Sequence, residues 1–349
     1  MNQTARWSAR ARTGYLRYPG ILALLVAVSC LVGCSTTEGP TTPIYQAALP
    51  SGTVQPQAGT ATSGRVQLGP VSWPADGVSA ADVSGIGVVD GPGATRQVPI
   101  ASVAKLMTAY VILQDHPLQT DESGPDISIE PSEAAAYPVQ ARDGDSLVAV
   151  AAGEVISERQ ALEALLLPSA DNMAWILARW DAGSQEAFVA KMNAAARRLG
   201  MTGTSYTDAS GLDSATISTA ADQVRLGMAA MRVPALAAIT AMPMAVVPVA
   251  GMIRNTNALL GQDGIVGLKT GSTQAAGGCL LTAAWAEVNG RSTLIVAATF
   301  GQPGTAGTIL PHALQAGYDL VLALDRALGG QSGARNHHEG PPQGPPGAP

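Results

Sequence analysis

The sequence predicts an α+β fold, a mainly antiparallel sheet flanked by helices, and three observations lead to it. Between about residues 102 and 231, segment after segment carries apolar side chains at helical spacing. After Gly264 the pattern changes to strand character, and two long apolar runs meet at Asn289-Gly290, the strongest short hairpin signal. The chain has 349 residues, 46% hydrophobic and 13% charged, enough for a large buried core.

The chain opens with an export signal rather than with the fold. Arg6, Arg10, Arg12 and Arg17 precede the apolar run Ile21 to Val28, which is too short to span a bilayer and has the length of a signal's apolar centre. Leu31-Val32-Gly33-Cys34 follows and resembles the lipobox of bacterial lipoproteins, in which cleavage leaves the cysteine as a lipidated N-terminus. The reading is therefore a signal peptide over 1–33 and Cys34 as the lipidation site; two acyl chains are what stable anchoring requires. Residues 34–65 are rich in Thr, Pro, Gly, Gln and Ser and read as a flexible tether with a reach of about 30 Å. Residues 66–328 form the expected folded body, and 329–349 a Gly/Pro-rich disordered tail containing His337 and His338.

Within the body, the Val66 to Val71 region and Val83 to Val89 are candidate early strands. Ser102 to Gln114 reads as a buried helix ending near His116-Pro117, and further helices fit Glu158 to Leu167, Asp171 to Trp180, Gln185 to Leu199 and Ala220 to Met231. Strands then fit Ile265 to Thr270, Gly278 to Val288 and Arg291 to Phe300, and a last helix, about His312 to Leu328, would pack on the sheet. With a net charge of -6 and no Lys/Arg cluster beyond the first twenty residues, nucleic acid is excluded as a partner. No disulfide framework exists, and Cys279 reads as a buried small hydrophobe.

The chemistry lies in three short patterns. Ser102-Val103-Ala104-Lys105 sets a hydroxyl and an amine three apart, on one face of a helix's first turn. A serine is a weak nucleophile until a base takes its proton, and a lysine of depressed pKa can be that base. Of the 20 cationic residues only Lys105, Lys191 and Lys269 are lysines, so two of the three fall inside candidate motifs. Arginine cannot serve as a base, which gives a reason for lysine there. Lys191 fits an ordinary exposed helix position. Lys269-Thr270-Gly271-Ser272 closes a strand and offers a cation, a hydroxyl and a glycine to an extended peptide beside it. Ser169-Ala170-Asp171-Asn172 lies between two helices, where a polar cluster can face a cleft or simply cap the next helix.

In this order the three patterns resemble the active-site set of penicillin-recognising serine enzymes: Ser-x-x-Lys, Ser-x-Asn, Lys-Thr-Gly. Their surroundings, Pro99 to Tyr110, Leu165 to Ala170, Asp208 to Asp213 and Gly267 to Thr273, are similar to low-molecular-mass D-alanyl-D-alanine carboxypeptidases, over about Val71 to Leu328. The resemblance implies a serine β-lactamase/DD-peptidase-like fold with an all-helical subdomain. It implies Ser102 as nucleophile, Lys105 as general base and Ser169 as proton relay, with Lys269 and Thr270 holding the substrate carboxylate. Gly271 leaves room for the substrate, and the backbone N–H groups of Ser102 and Ser272 form the oxyanion hole. The implied partners are a peptidoglycan stem peptide ending in D-Ala-D-Ala, β-lactam antibiotics as covalent inhibitors, and the membrane through the N-terminal lipid; no metal or organic cofactor is needed. The place of action is extracytoplasmic.

One position departs from the family pattern. Asp171 stands where asparagine is expected, and Asn172 comes next; by the resemblance both are candidate substrate-binding residues, with Lys269, Thr270, Gly271 and Ser272. Either Asn172 substitutes through a shift of the loop, or Asp171 pairs with a lysine, or catalysis is slow. A non-catalytic penicillin-binding lipoprotein silenced by Asp171 is therefore the alternative reading. A class A β-lactamase would need a glutamate between the second and third motifs, and none occurs from Ala187 to Ala286.

Overall fold

The computed structural model describes residues 67–329. The sheet begins with β1 (Val78–Val83) and β2 (Gly87–Asp90), a hairpin turned by Ser84-Gly85-Ile86 with Gly85 at φ +85°. The expected single strand over 83–89 is thus wrong: Val83 ends one strand and Gly87 starts the next. Of the expected strand over 66–71, Val66 lies outside the described residues and 67–71 form no strand; there the Gly69 N–H donates to the Ala327 carbonyl.

Short β3 (Val98–Pro99) leads into a 3-10 turn, Ala101–Val103, and then α1 (Ala104–Asp115). β4 (Asp126–Ser128) pairs with β5 (Val155–Ser157) around α2 (Pro131–Asp143). α3 (Glu158–Leu166) starts with a capping box, Ser157 accepting from the Gln160 N–H and Gln160 reaching back, which is the Ser-x-x-Gln signature in the sequence. α4 (Asp171–Ala182) and α5 (Gln185–Arg198) follow, then β6 (Ile217–Ser218), α6 (Ala220–Ala230), α7 (Pro234–Thr240) and the hairpin of β7 (Met244–Val247) with β8 (Gly251–Arg254). The chain closes with β9 (Ile265–Thr273), β10 (Gly277–Val288), β11 (Arg291–Gln302) and α8 (Ile309–Ala327).

The main sheet has the order β2-β1-β11-β10-β9 and is antiparallel throughout. Asn289, at φ +52°, and Gly290 turn the β10–β11 hairpin as expected, with Val288 opposite Arg291. Both faces are covered. Val296, Leu281 and Leu268 meet α6, whose Gly227 has no room for a Cβ beside Val296, and this face belongs to the larger core. Ile295, Ala297 and Ala284 alternate to the other face and pack with Leu320, Val321 and Leu324 of α8. Two-sided cover explains why β10 and β11 read as continuous apolar runs. Helices α1, α3, α4 and α5 pack together beside the sheet as the expected helical part. β9 is an edge strand, and its open side faces the 3-10 turn that carries Ser102.

Candidate active site

The segment bearing Ser102 is fixed by an unusual backbone. Ala101 is buried at φ +47°, a left-handed conformation that a non-glycine residue holds only when its surroundings impose it. Gly211 imposes part of it: a Cβ there would lie 1.9 Å from the Ala101 carbonyl oxygen, so only glycine lets the two chains meet. From this turn the chain enters α1, and Lys105 comes to lie beside Ser102 with Nζ 2.8 Å from Oγ.

Lys105 is fully buried, and its Nζ has two further partners, Asp171 Oδ1 at 2.7 Å and the Ser210 carbonyl at 2.9 Å. Three acceptors match the three N–H bonds of an ammonium. A neutral amine can keep the bonds to Asp171 and Ser210 and turn its lone pair to the Ser102 hydroxyl. The same frame therefore serves both protonation states. Burial pulls the Lys105 pKa down, and the charge and hydrogen bond of Asp171 pull it back up, with Asp208 and Asp145 adding to that. The net direction is downward, toward a usable base.

Asp171 opens α4 and is itself clamped. Its Oδ2 accepts from the Ser146 N–H at 3.0 Å, and its own N–H donates to the Ser146 carbonyl at 2.6 Å. Of the possibilities raised by the sequence, pairing with a lysine is the one realised. Asn172 does not take the asparagine's place: its Nδ2 donates to the Val148 carbonyl at 2.8 Å and its Oδ1 accepts from the Val148 N–H at 3.2 Å. Both ends of that amide are spent on the segment beside the site, so its expected substrate contact is withdrawn.

Ser169 holds a second left-handed position, φ +69°, and its Oγ accepts from Lys269 Nζ at 2.9 Å. Lys269 is buried as well and also donates to the Thr270 carbonyl at 3.0 Å. Burial first, and then the charge of Lys105, hold its amine well below the usual lysine range. The Thr270 hydroxyl shares a 2.6 Å hydrogen bond with Thr256, whose N–H is bound by the Leu167 carbonyl two residues before Ser169. Gly271 lies where a Cβ would be 3.0 Å from the backbone nitrogens of Ser102 and Val103, so β9 can run against the nucleophile turn. Ser272, next along β9, is exposed.

The structure thus gathers the half-buried Ser102 and the buried Lys105, Asp171, Ser169, Lys269, Thr270 and Gly271 into one cluster lined by β9. Cys34 lies outside the described residues. Lys191 is a half-exposed link between helices, paired to Asp115 at 2.9 Å and Asp181 at 2.6 Å. Cys279 is buried, its thiol pushed up to about 12 by burial, as a core residue requires. Among the described residues no group of side chains could hold a metal ion. Sequence reasoning missed the carbonyl of Ser210. That carbonyl is aimed by Asp208, whose carboxylate accepts from Ser210 N–H, Ser210 Oγ, Leu212 N–H and the Thr216 hydroxyl. The segment Asp208 to Asp213 stood out in the sequence, yet a backbone acceptor leaves no residue-type signal of its own.

Comparison with known proteins agrees with this geometry. The D-alanyl-D-alanine carboxypeptidase family matches residues 86–301. A D-alanyl-D-alanine endopeptidase of Pseudomonas aeruginosa is 37% identical over 191 residues, covering 53% of this chain and 58% of that protein. The D-alanyl-D-alanine carboxypeptidase DacB2 of Mycobacterium tuberculosis is 36% identical over 210 residues, covering 58% of this chain and 67% of that protein. The chain thus spans less than two thirds of the endopeptidase's length. The crystal structure of a D-alanyl-D-alanine carboxypeptidase from Mycobacterium tuberculosis H37Rv superposes with a TM-score of 0.61 at 32% identity, over 74% of this chain and 96% of that one. The Streptomyces K15 DD-transpeptidase, at 23% identity, shares the fold with a TM-score of 0.63 over 72% of this chain and 98% of that one. The expected DD-peptidase fold is the one found, and the chain belongs to the D-alanyl-D-alanine carboxypeptidase family.

Proposed function

We propose that the protein is a serine DD-peptidase that removes the terminal D-alanine from peptidoglycan stem peptides. The observation that carries this reading is the Lys105 amine at 2.8 Å from the Ser102 hydroxyl, inside a buried cluster that also holds Lys269 on Ser169 at 2.9 Å. Ser102 Oγ attacks the carbonyl between the two D-alanines and its proton passes to Lys105 Nζ. The backbone N–H groups of Ser102 and Ser272 receive the oxyanion, and Lys269 with Thr270 holds the terminal carboxylate. As the C–N bond breaks, Ser169 relays a proton to the departing amine, and water then frees the shortened peptide from the ester. β-Lactams would acylate the same hydroxyl.

Release of D-alanine from a D-Ala-D-Ala peptide, with mass spectrometry of the penicillin adduct, tests this. The expected result is an adduct on Ser102 alone and loss of both signals in Ser102→Ala. An adduct without D-alanine release would favour the silent penicillin-binding reading, and an adduct elsewhere would sink both. The endopeptidase names of the Pseudomonas aeruginosa and Escherichia coli relatives favour a second substrate form, the cross-linked dimer, in which the leaving amine belongs to a neighbouring stem. Comparing pentapeptide and dimer in the same assay separates the two.

We further infer that the enzyme works outside the cytoplasm, held to the membrane by a lipid on Cys34, with 1–33 removed, 34–65 as tether, 66–328 as catalytic body and 329–349 as tail. What supports this is the basic, apolar and Gly-Cys order of the first 34 residues. Partition of the mature protein into the detergent phase is the expected outcome, and recovery in the aqueous phase would refute the anchor.

A further inference from the structure

We propose that Asp171, standing where the family pattern has asparagine, is the positioning residue that holds Lys105 against Ser102 and fixes the pH above which that amine can act as base. This rests on the DD-peptidase reading above and goes beyond it. Asp171 is buried, and both its oxygens are committed, Oδ1 to Lys105 at 2.7 Å and Oδ2 to the Ser146 N–H at 3.0 Å. Its backbone N–H donates to the carbonyl of the same Ser146, so main chain and carboxylate are both tied to that segment.

An amide in this place would behave differently. With its carbonyl oxygen on the Ser146 N–H, its NH2 would point at Lys105, donor against donor unless the amine is neutral. Asparagine therefore favours a resting amine, and aspartate a resting ammonium. The charges that act on Lys105 are Asp171 from α4, Asp208 from the loop before β6, and Asp145 beside Ser146, all favouring the ammonium. Lys269 from β9 is the opposing cation. Among the described residues Lys269 touches a hydroxyl and a carbonyl but no carboxylate. Among the described residues a single carboxylate, Asp171, is in contact with this pair of buried amines, and geometry assigns it to Lys105. Lys105 must lose its proton before it can take one from Ser102, whereas Lys269 is left to be compensated by an incoming substrate carboxylate.

The test is the pH profile of β-lactam acylation and D-alanine release. In the wild type both should rise with pH along an acid limb. Asp171→Asn should move the midpoint of that limb down by about 1–3 pH units, the usual effect of removing an opposite charge in contact. Asp171→Ala should move it the same way and also lower the plateau, because the amine loses its anchor. A merely structural role would scale the profile without moving its midpoint, and that result overturns the proposal. A second measurement needs no Asp171 variant: the chain has three lysines, so 13Cε-lysine labelling gives three signals, assigned with Lys191→Arg and Lys269→Arg. Lys105 should titrate above Lys269, and the reverse order refutes the pairing. Should the wild type neither acylate nor release D-alanine, the DD-peptidase reading fails, while the order of titration still decides the role of Asp171.

Discussion

The Lys105 amine is aimed by an atom with no side-chain identity, the carbonyl of Ser210, and that carbonyl depends on Gly211. Gly211 sits at φ +80° with the Ala101 carbonyl where its Cβ would be. Gly211→Ala must push apart the loop and the nucleophile turn, which moves both Ser102 and the Ser210 acceptor. We expect a loss of acylation rate on the order of 100-fold, the scale of an ångström's misplacement in a reacting pair. Stopped-flow acylation by a β-lactam measures it, and an unchanged rate in the folded variant would show that the contact does not set the site. At this scale the sequence was partly legible. Ser102 and Lys105 lie one helical turn apart, so their spacing alone predicts contact. Asp171 and Lys105 are 66 residues apart, and only the packing of α1 on α4 decides that they meet. Hence the sequence offered three fates for Asp171 and could not choose among them.

Among the elements, the long ones with an apolar stripe were legible, and α2, which has a cap but no stripe, was not. α3 and α5 were read from their apolar spacing, and each also carries a cap, Ser157 with Gln160 and Ser184, which accepts from the Ala187 N–H. α2 has no buried residue and carries Pro138 in its interior, so no apolar periodicity marks it; only Pro131 and the Glu130–Glu133 capping box could have. α3 also carries a liability. Glu158 at its start is buried, neither carboxylate oxygen has a hydrogen-bond partner, and its pKa is raised to about 7 by burial and then by the charges of Glu122 and Asp181. The folded state therefore holds this proton more tightly than the unfolded chain does. The associated stability is fully present below the ordinary carboxylate range and is lost as pH rises through about 7. Glu158→Gln should make the protein more stable than the wild type at pH 8, by roughly 1–2 kcal/mol for a buried unpaired charge, with the gain vanishing at low pH. Urea midpoints across that range read it, and parallel curves for the two proteins would contradict it.

For the whole molecule, the closure of the sheet was the part hidden from the sequence. β1 pairs with β11 through Val78 opposite Phe300 and Val83 opposite Ile295, a contact between the two ends of the folded body that no local pattern announces. The C-terminal hairpin, by contrast, was fixed by Asn289-Gly290. Closing the sheet divides the interior into two cores. The one on the α8 face, with Leu324, Leu320 and Val321 against Ile295 and Ala297, shares no side chain with the polar cluster. The other contains Leu106, the residue after Lys105, together with Ala101 and Val103. Leu324 and Leu106 are both fully buried, so truncation of either to alanine should cost about 2–5 kcal/mol. Their effects on chemistry should differ. Leu324→Ala should lower the urea midpoint and leave the acylation rate of the folded protein unchanged, because the sheet stands between its cavity and the site. Leu106→Ala should lower both, because the cavity opens beneath the turn of α1 that presents the amine. Equal acylation rates in the two variants would mean that α1 holds Lys105 through its polar partners alone, and that the site is decoupled from the core it rests on.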